Sequence, residues 1–142
     1  MSNRTRRVEK SYRKYRSAPE RVPCDFCIVK KGDYNFVSES PSFKVLHNIF
    51  PYALWDEQTV TDHLMIVPKQ HIDSLKSLKP SQAAEYLAAI SEYEHQGYSV
   101  YARAPGSLAK SIIHQHTHLI KTEGAPKRVV ILIRKPHIML AR

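Results

Sequence analysis

"SIIHQHTHLIK", residues 111–121, sets histidines at 114, 116 and 118, every second position, among apolar and short side chains. That alternation has the period of an extended strand, whose successive side chains point to opposite faces. A strand over 111–120 therefore puts His114, His116 and His118 on one face and Gln115 and Thr117 on the other, and makes the imidazole row a surface feature of a sheet. At about 3.3 Å per residue the outer two lie about 13 Å apart along the strand, whereas a zinc–nitrogen bond is about 2.0–2.1 Å. One ion cannot gather all three, so at least one imidazole has another task. A chance cluster of half-buried histidines is the competing reading, but unpaired buried imidazoles cost stability without a role.

Outward from the row, "FKVLHNIF" (43–50) and "HLMIVPK" (63–69) are rich in strand formers, and the stretch between them is broken by Pro51 and acidic residues, which reads as a hairpin with a long loop. "PSQAAEYLAAISEYEHQG" (80–97) has Pro80 in its first turn, Ala83, Leu87 and Ile90 at helical spacing, and Gly97 as a stop, so it predicts the main central helix. "YSVYAR" (98–103) and "RVVILIR" (128–134) are strand-like. Strands on both sides of one helix, with later connections too short for parallel crossovers, predict an α+β domain on a largely antiparallel sheet of about five strands. "PHIML" and His137 near the carboxyl end carry no assigned role.

The 142 residues, 42% hydrophobic, match one domain with its own core. No run approaches the roughly 20 apolar residues of a membrane span, and the amino terminus is basic and polar, so a soluble cytoplasmic protein is expected. The formal charge is +9, and residues 1–22 hold eight Arg or Lys against Glu9 and Glu20, a net of +6. We divide the chain into a basic arm, 1–22, with a short helix over Thr5 to Arg16 where Val8, Tyr12 and Tyr15 keep helical spacing, and a domain, 23–142. The arm suits a polyanion such as nucleic acid, although only Tyr12 and Tyr15 are interleaved for stacking; a solvated leader is the plainer reading. Cys24 and Cys27 are too close to form a useful crosslink and read as a redox pair, half of a zinc site or two small core residues. Nothing helical is expected after them, which disfavours the redox reading.

His114-Gln115-His116-Thr117-His118-Leu119-Ile120 resembles the signature of the histidine-triad family of nucleotide hydrolases and transferases. "HNIFPY" (47–52) and "DHLMIVPKQH" (62–71) resemble the two segments that precede the central helix in that family, in the same order, and the likeness spans about 22–122. It implies a nucleotide hydrolase acting on a purine-type nucleotide, a phosphoramidate, dinucleoside polyphosphate or other nucleotidyl conjugate, through a covalent adduct on the middle histidine, His116. By the same resemblance His118 protonates or supports the leaving group, His63 braces the row, and Ser111 and Lys110 meet the phosphate. Asn48 would contact the ribose, with His47 and Ile49 bordering the base.

There are two departures: Lys110 stands where relatives often have glutamine, and Asp62 where glycine is usual. Asp62 would orient His63 or cap a turn. Relatives with transferase or phosphorylase activity tend to carry glutamine at the third triad position, so His118 leans toward hydrolysis. In zinc-bearing relatives two such cysteines join two histidines, here Cys24, Cys27, His71 and His114, in a closed structural Zn²⁺ site. The resemblance further implies a homodimer. Competing expectations are a nucleotidyl transferase or phosphorylase, a nucleic-acid-associated protein using the arm, and a zinc hydrolase chelating through His114 and His116.

Overall fold

The computed structural model describes residues 4–19, 24–126, 130–134 and 137–141. Strands β1 (Phe36–Glu39), β2 (Phe43–His47), β3 (Leu54–Trp55), β4 (Gln58–Pro68), β5 (Tyr98–Ala102) and β6 (Thr117–Glu123) build a six-stranded sheet in the order β1-β2-β4-β6-β5, with β3 pairing to β4 off that path. Each of these pairings is antiparallel. β7 (Val130–Arg134) and β8 (His137–Ala141) form a separate antiparallel hairpin. The expected α+β architecture is present, and the five-strand path matches the expected size of the sheet. The sixth strand, β3, exists because Asp56 and Glu57 turn the chain at φ 48° and 63°. Such a left-handed two-residue hairpin turn is usually marked by Asn-Gly or Asp-Gly, and Asp-Glu gives no such signal.

Helix α1 (Arg6–Arg16) occupies the segment expected for it, and Thr5 Oγ1 caps it by accepting from Val8 N at 3.3 Å. Helix α2 (Asp25–Ile28) is a single turn with Cys24 as its N-cap and Cys27 inside it. The expectation that nothing helical follows Cys24 is corrected: one turn closes there and draws the two cysteines onto one side. α3 (Pro80–His95) starts with Pro80 in its first turn, where Gln82 Oε1 takes the Lys79 N–H at 2.9 Å, and Gly97 follows it at φ 89°.

β4 is the keystone, because it pairs with both β2 and β6 and is buried on both faces from His63 to Pro68. Its alternation separates two cores. Met65 and Val67 point with Leu46 toward Cys24 and Phe26 on one face. Leu64 and Ile66 point with Phe43, Val45 and Leu119 toward α3 on the other. α3 covers that second core with Tyr86, Ala89, Ile90 and Tyr93, and Tyr86 Oη hydrogen-bonds Thr117 Oγ1 at 2.8 Å. This shifts the helix face expected from Ala83, Leu87 and Ile90: only Ile90 packs on the sheet, and Leu87 is 60% exposed. The tyrosines supply the apolar area, and Tyr86 carries its hydroxyl to a polar partner, so a count of aliphatic residues misplaces the buried stripe.

Ile66 is 1% exposed at the centre of the second core, whereas Leu108 lies fully in solvent. Ile66→Ala should cost about 2–5 kcal/mol in urea denaturation and Leu108→Ala no more than about 0.5.

Candidate active site

The regular strand begins at Thr117, so only His118 of the row lies within it; His114 and His116 stand on the bent segment that leads in. The three imidazoles still gather on the side opposite Thr117, but they do not form a surface feature. They are 1%, 6% and 5% exposed, because α1 and α2 cover that side of the sheet. Phe26, between the two cysteines, packs edgewise on the His114 ring and at a tilt on that of His116, with centroids 5.9 and 5.1 Å away. The His116 and His118 rings lie 5.0 Å apart.

Hydrogen bonds fix which nitrogen of each ring holds a proton. His116 Nδ1 lies 2.8 Å from the carbonyl of His114, and a carbonyl only accepts, so Nδ1 donates and Nε2 of the neutral ring is left bare. On His63 the order is reversed: the Tyr52 backbone N–H donates to Nδ1 at 3.1 Å, so the proton sits on Nε2. That proton points at His118 Nδ1, 3.0 Å away. His118 Nδ1 therefore accepts, and its Nε2 carries the ring proton. Adjacent imidazoles thus offer opposite functions, a lone pair on His116 and an N–H on His118.

Charge is disfavoured throughout the row. Burial first, then the Arg4 guanidinium, pushes His63 down to about 4. Burial likewise pushes His116 to about 4 against the opposing bond to the His114 carbonyl, and it depresses His118 further still, with His116 and His63 adding to the effect. The rings are neutral at pH 7.

Asn48 lines the larger cavity with His47 and Ile49; its Oδ1 accepts from Phe50 N at 2.9 Å and its amide nitrogen lies within 3.2 and 3.4 Å of the two His63 nitrogens. Ser111 lines the cavities on both sides of His116. Lys110 lines neither: its ammonium donates to the Asp73 carbonyl at 2.9 Å and to Gln115 Oε1 at 2.7 Å, which ties down the turn before the row. Asp62 does not orient the His63 ring. Its Oδ1 accepts from the His63 backbone at 2.8 Å and its Oδ2 from the Tyr98 hydroxyl.

Several residues packed around the histidines carry no role in the sequence reading. Tyr52 and Tyr101 flank the His118 ring with centroids 5.7 and 6.1 Å away, and Arg103 donates to both their hydroxyls at 3.3 and 3.2 Å. For Tyr101 and Arg103 the signal was the alternation within "YSVYAR", which puts both on one face. Arg4 and Tyr12 also reach the site, with no local signal at all.

Cys24, Cys27, His71 and His114 are brought together with their ligand atoms all within 4.8 Å of one another. His114 Nδ1 is 3.3 Å from Cys24 Sγ and 3.6 Å from Cys27 Sγ, and His71 Nδ1 is 3.2 Å from Cys27 Sγ. A tetrahedral zinc with Zn–S of about 2.3 Å and Zn–N of about 2.0–2.1 Å separates its ligand atoms by about 3.3–3.8 Å, so the set fits. His114 Nε2 donates to the Pro68 carbonyl at 3.0 Å, which leaves Nδ1 bare toward the thiols, the outer-shell arrangement that metal-binding histidines use. His116 is not part of this group.

Because His63 is held near 4 in the fold against about 6.5 when unfolded, its contribution is complete above about 6.5 and is lost as pH falls toward 4. The loss from this residue is on the order of 3 kcal/mol. Denaturation midpoints between pH 7 and pH 4 should fall more steeply for wild-type protein than for His63→Gln; parallel profiles would count against a buried neutral ring.

No family model matches the chain. The Bacillus subtilis (strain 168) "Protein hit" is 27% identical over 110 residues, spanning 71% of this chain and 72% of that protein. Among solved structures, a HIT family hydrolase from Legionella pneumophila Philadelphia 1 aligns with a TM-score of 0.54 at 20% identity, over 71% of this chain and 94% of that one. A zinc-bound histidine triad family protein from Mycobacterium smegmatis aligns at 0.53 and 20% identity, over 73% and 78%. A histidine triad protein from Clostridium difficile aligns at 0.50 and 21%, over 76% and 97%. The resemblance first carried by three short motifs thus extends to about 71–76% of the chain, and the chain has the histidine-triad fold.

Proposed function

We propose that this chain is a nucleotide hydrolase of the histidine-triad type, cleaving a nucleoside phosphoramidate, dinucleoside polyphosphate or other nucleotidyl conjugate through a covalent adduct on His116. The observation that carries this reading is the pairing of opposite tautomers, a bare His116 Nε2 beside a protonated His118 Nε2 in one cavity wall. In the first step the His116 lone pair bonds to the α-phosphorus while the bond to the leaving group breaks. The ring becomes cationic, and its Nδ1–H, already on the His114 carbonyl, strengthens that hydrogen bond. His118 Nε2–H supplies the proton that an amine needs in order to leave, or steadies a phosphoryl oxygen. Water then attacks phosphorus, the N–P electron pair returns to His116, and a nucleoside monophosphate and one proton are released.

The cavity of about 280 Å³ that holds Asn48, His47 and Ile49 is the place for the nucleoside, with Ser111 at the phosphate. Lys110 acts at a distance, by bracing the approach to the row. Zinc on Cys24, Cys27, His71 and His114 would pin α2 to the segment before His116, and the choice of zinc is supported by the zinc-bound Mycobacterium smegmatis protein of the same fold. A reducing compartment such as the cytosol keeps that thiol pair available. No helix among the described residues is long and apolar enough to cross a membrane. A homodimer through α3 is favoured by that helix having no fully buried side chain while it exposes Leu87, next to edge strand β5, which exposes Val100.

His116→Ala should lower kcat on an adenosine phosphoramidate by about 10³-fold or more while keeping one equivalent of zinc, whereas Cys24→Ala should lose zinc and thermal stability first. Mass spectrometry of the quenched wild-type enzyme should find the nucleotide on His116. Retained turnover in His116→Ala would defeat the assignment. Product analysis with and without added inorganic phosphate separates water from phosphate as the final acceptor.

A further inference from the structure

The helix that the sequence sets apart as an arm lies against the histidine row. Tyr12 and Tyr15 each pack on Phe50 with ring centroids 5.3 Å apart, Tyr15 Oη donates to Asp25 Oδ1 at 2.8 Å, and Arg16 Nη1 donates to the Ser111 carbonyl at 3.2 Å. Just before the helix, Arg4 Nε donates to the Phe50 carbonyl at 2.9 Å, and its guanidinium lies 4.1 Å from the centre of the Tyr12 ring and 5.3 Å from that of Tyr52. These contacts seat the inner face of α1 and turn Arg4 inward. Its side chain is only 14% exposed, and Glu9 at 3.7 Å offsets part of its charge.

Two cavities meet at His116 and His118 and share Arg4, Tyr12 and Ser111. The one of about 280 Å³ is lined by apolar side chains such as Ile28, Ile49 and Phe50 and sets the carboxylates of Asp25 and Asp33 against Arg4 and Arg16. The other, of about 170 Å³, adds Tyr52, Ala109 and Arg103 and holds no carboxylate among the described residues. A phosphorus held at His116 therefore has unlike surroundings on its two sides: on one, apolar side chains with Arg4 and Arg16 balanced by Asp25 and Asp33, and on the other, among the described residues, Arg4 and Arg103 with no carboxylate beside them. A nucleoside suits the first, and whatever leaves on the second side departs along a lining that carries the Arg4 and Arg103 guanidiniums.

Resting on the hydrolase reading above, we propose that the basic arm is a wall of the active site and that Arg4 and Arg103 form a subsite for a phosphate-bearing leaving group. As the His116 lone pair bonds to the α-phosphorus, the P–O bond to the leaving phosphate breaks and its electron pair stays on the departing oxygen. That oxygen leaves as an anion paired with guanidinium and needs no proton, whereas an amine must be protonated as it goes. The subsite therefore discriminates by the charge of the leaving group. The remainder of a polyphosphate and the 5′ end of a nucleic acid present the same phosphate chemistry to it.

The test measures kcat/KM of the full chain on three adenylyl substrates: diadenosine triphosphate, a 5′-adenylylated DNA oligonucleotide, and an adenosine phosphoramidate of a neutral amine. Arg4→Gln should reduce kcat/KM on at least one of the two phosphate-leaving substrates about tenfold more than on the phosphoramidate, and Arg4→Lys should recover most of that ratio. Arg7→Gln, on the exposed face of α1, should behave as wild type. The phosphate-leaving substrate that responds identifies the source of the phosphate. Should Arg4→Gln fail to fold, the same ratio is expected of Arg103→Gln. Equal losses on all three substrates, or no loss, in variants with normal zinc content and thermal midpoint would overturn the subsite. Wild-type activity confined to the phosphoramidate would overturn it too while leaving the hydrolase reading in place, and wild-type inactivity on all three would remove both.

Discussion

The hydrogen bond from His116 Nδ1 to the carbonyl of His114, 2.8 Å long, is the contact on which the rest of the site depends. It sets the His116 tautomer, and so decides that the nitrogen left over is a lone pair. It also links two parts of the molecule that would otherwise be independent. His114 gives its carbonyl to His116 and its ring to the cluster with Cys24, Cys27 and His71, and Pro68 in β4 orients that ring from behind. A metal held there would fix the His114 backbone, and through it the ring that we propose as nucleophile.

Burial supplies the other half of the arrangement. In water an imidazole near neutral pH exchanges between charged and neutral forms, and between two neutral tautomers. Here desolvation holds His63 and His116 near 4, so the charged form is absent under ordinary conditions, and fixed partners choose between the tautomers. His63 acts as a relay: it takes the Tyr52 N–H on one nitrogen and hands the opposite polarity to His118 through the other. Oriented dipoles arranged before substrate arrives need no reorganisation as charge develops at phosphorus.

The fold was legible where burial writes a periodic pattern. β2, β4 and β5 stand where alternating or continuous apolar residues put them, and Pro80 and Gly97 bracket the central helix. The period of two was stretched too far upstream at the histidines: regular pairing starts at Thr117, and the bends before it bring His114 down to the cysteines instead of extending the row. The α3 face was misjudged because tyrosine works as a core residue there, and Lys110 because a single lysine gives no hint of which carbonyl it will find. α1 was visible as a helix, with Val8, Tyr12 and Tyr15 on one side, but its position against Phe50 and Ser111 depends on contacts 46 and 95 residues away in sequence. No local pattern encodes a partner at that distance, so a segment that reads as a charged leader packs beside the histidines.

The tautomers can be observed directly. Long-range proton–nitrogen correlation spectra of ¹⁵N-histidine-labelled, zinc-loaded protein at pH 7 distinguish Nδ1–H from Nε2–H rings. We expect His116 to be neutral with its proton on Nδ1, and His63 and His118 neutral with theirs on Nε2. A His116 ring protonated at Nε2, or charged at pH 7, would leave no lone pair for phosphorus and would contradict the proposed chemistry at its first step.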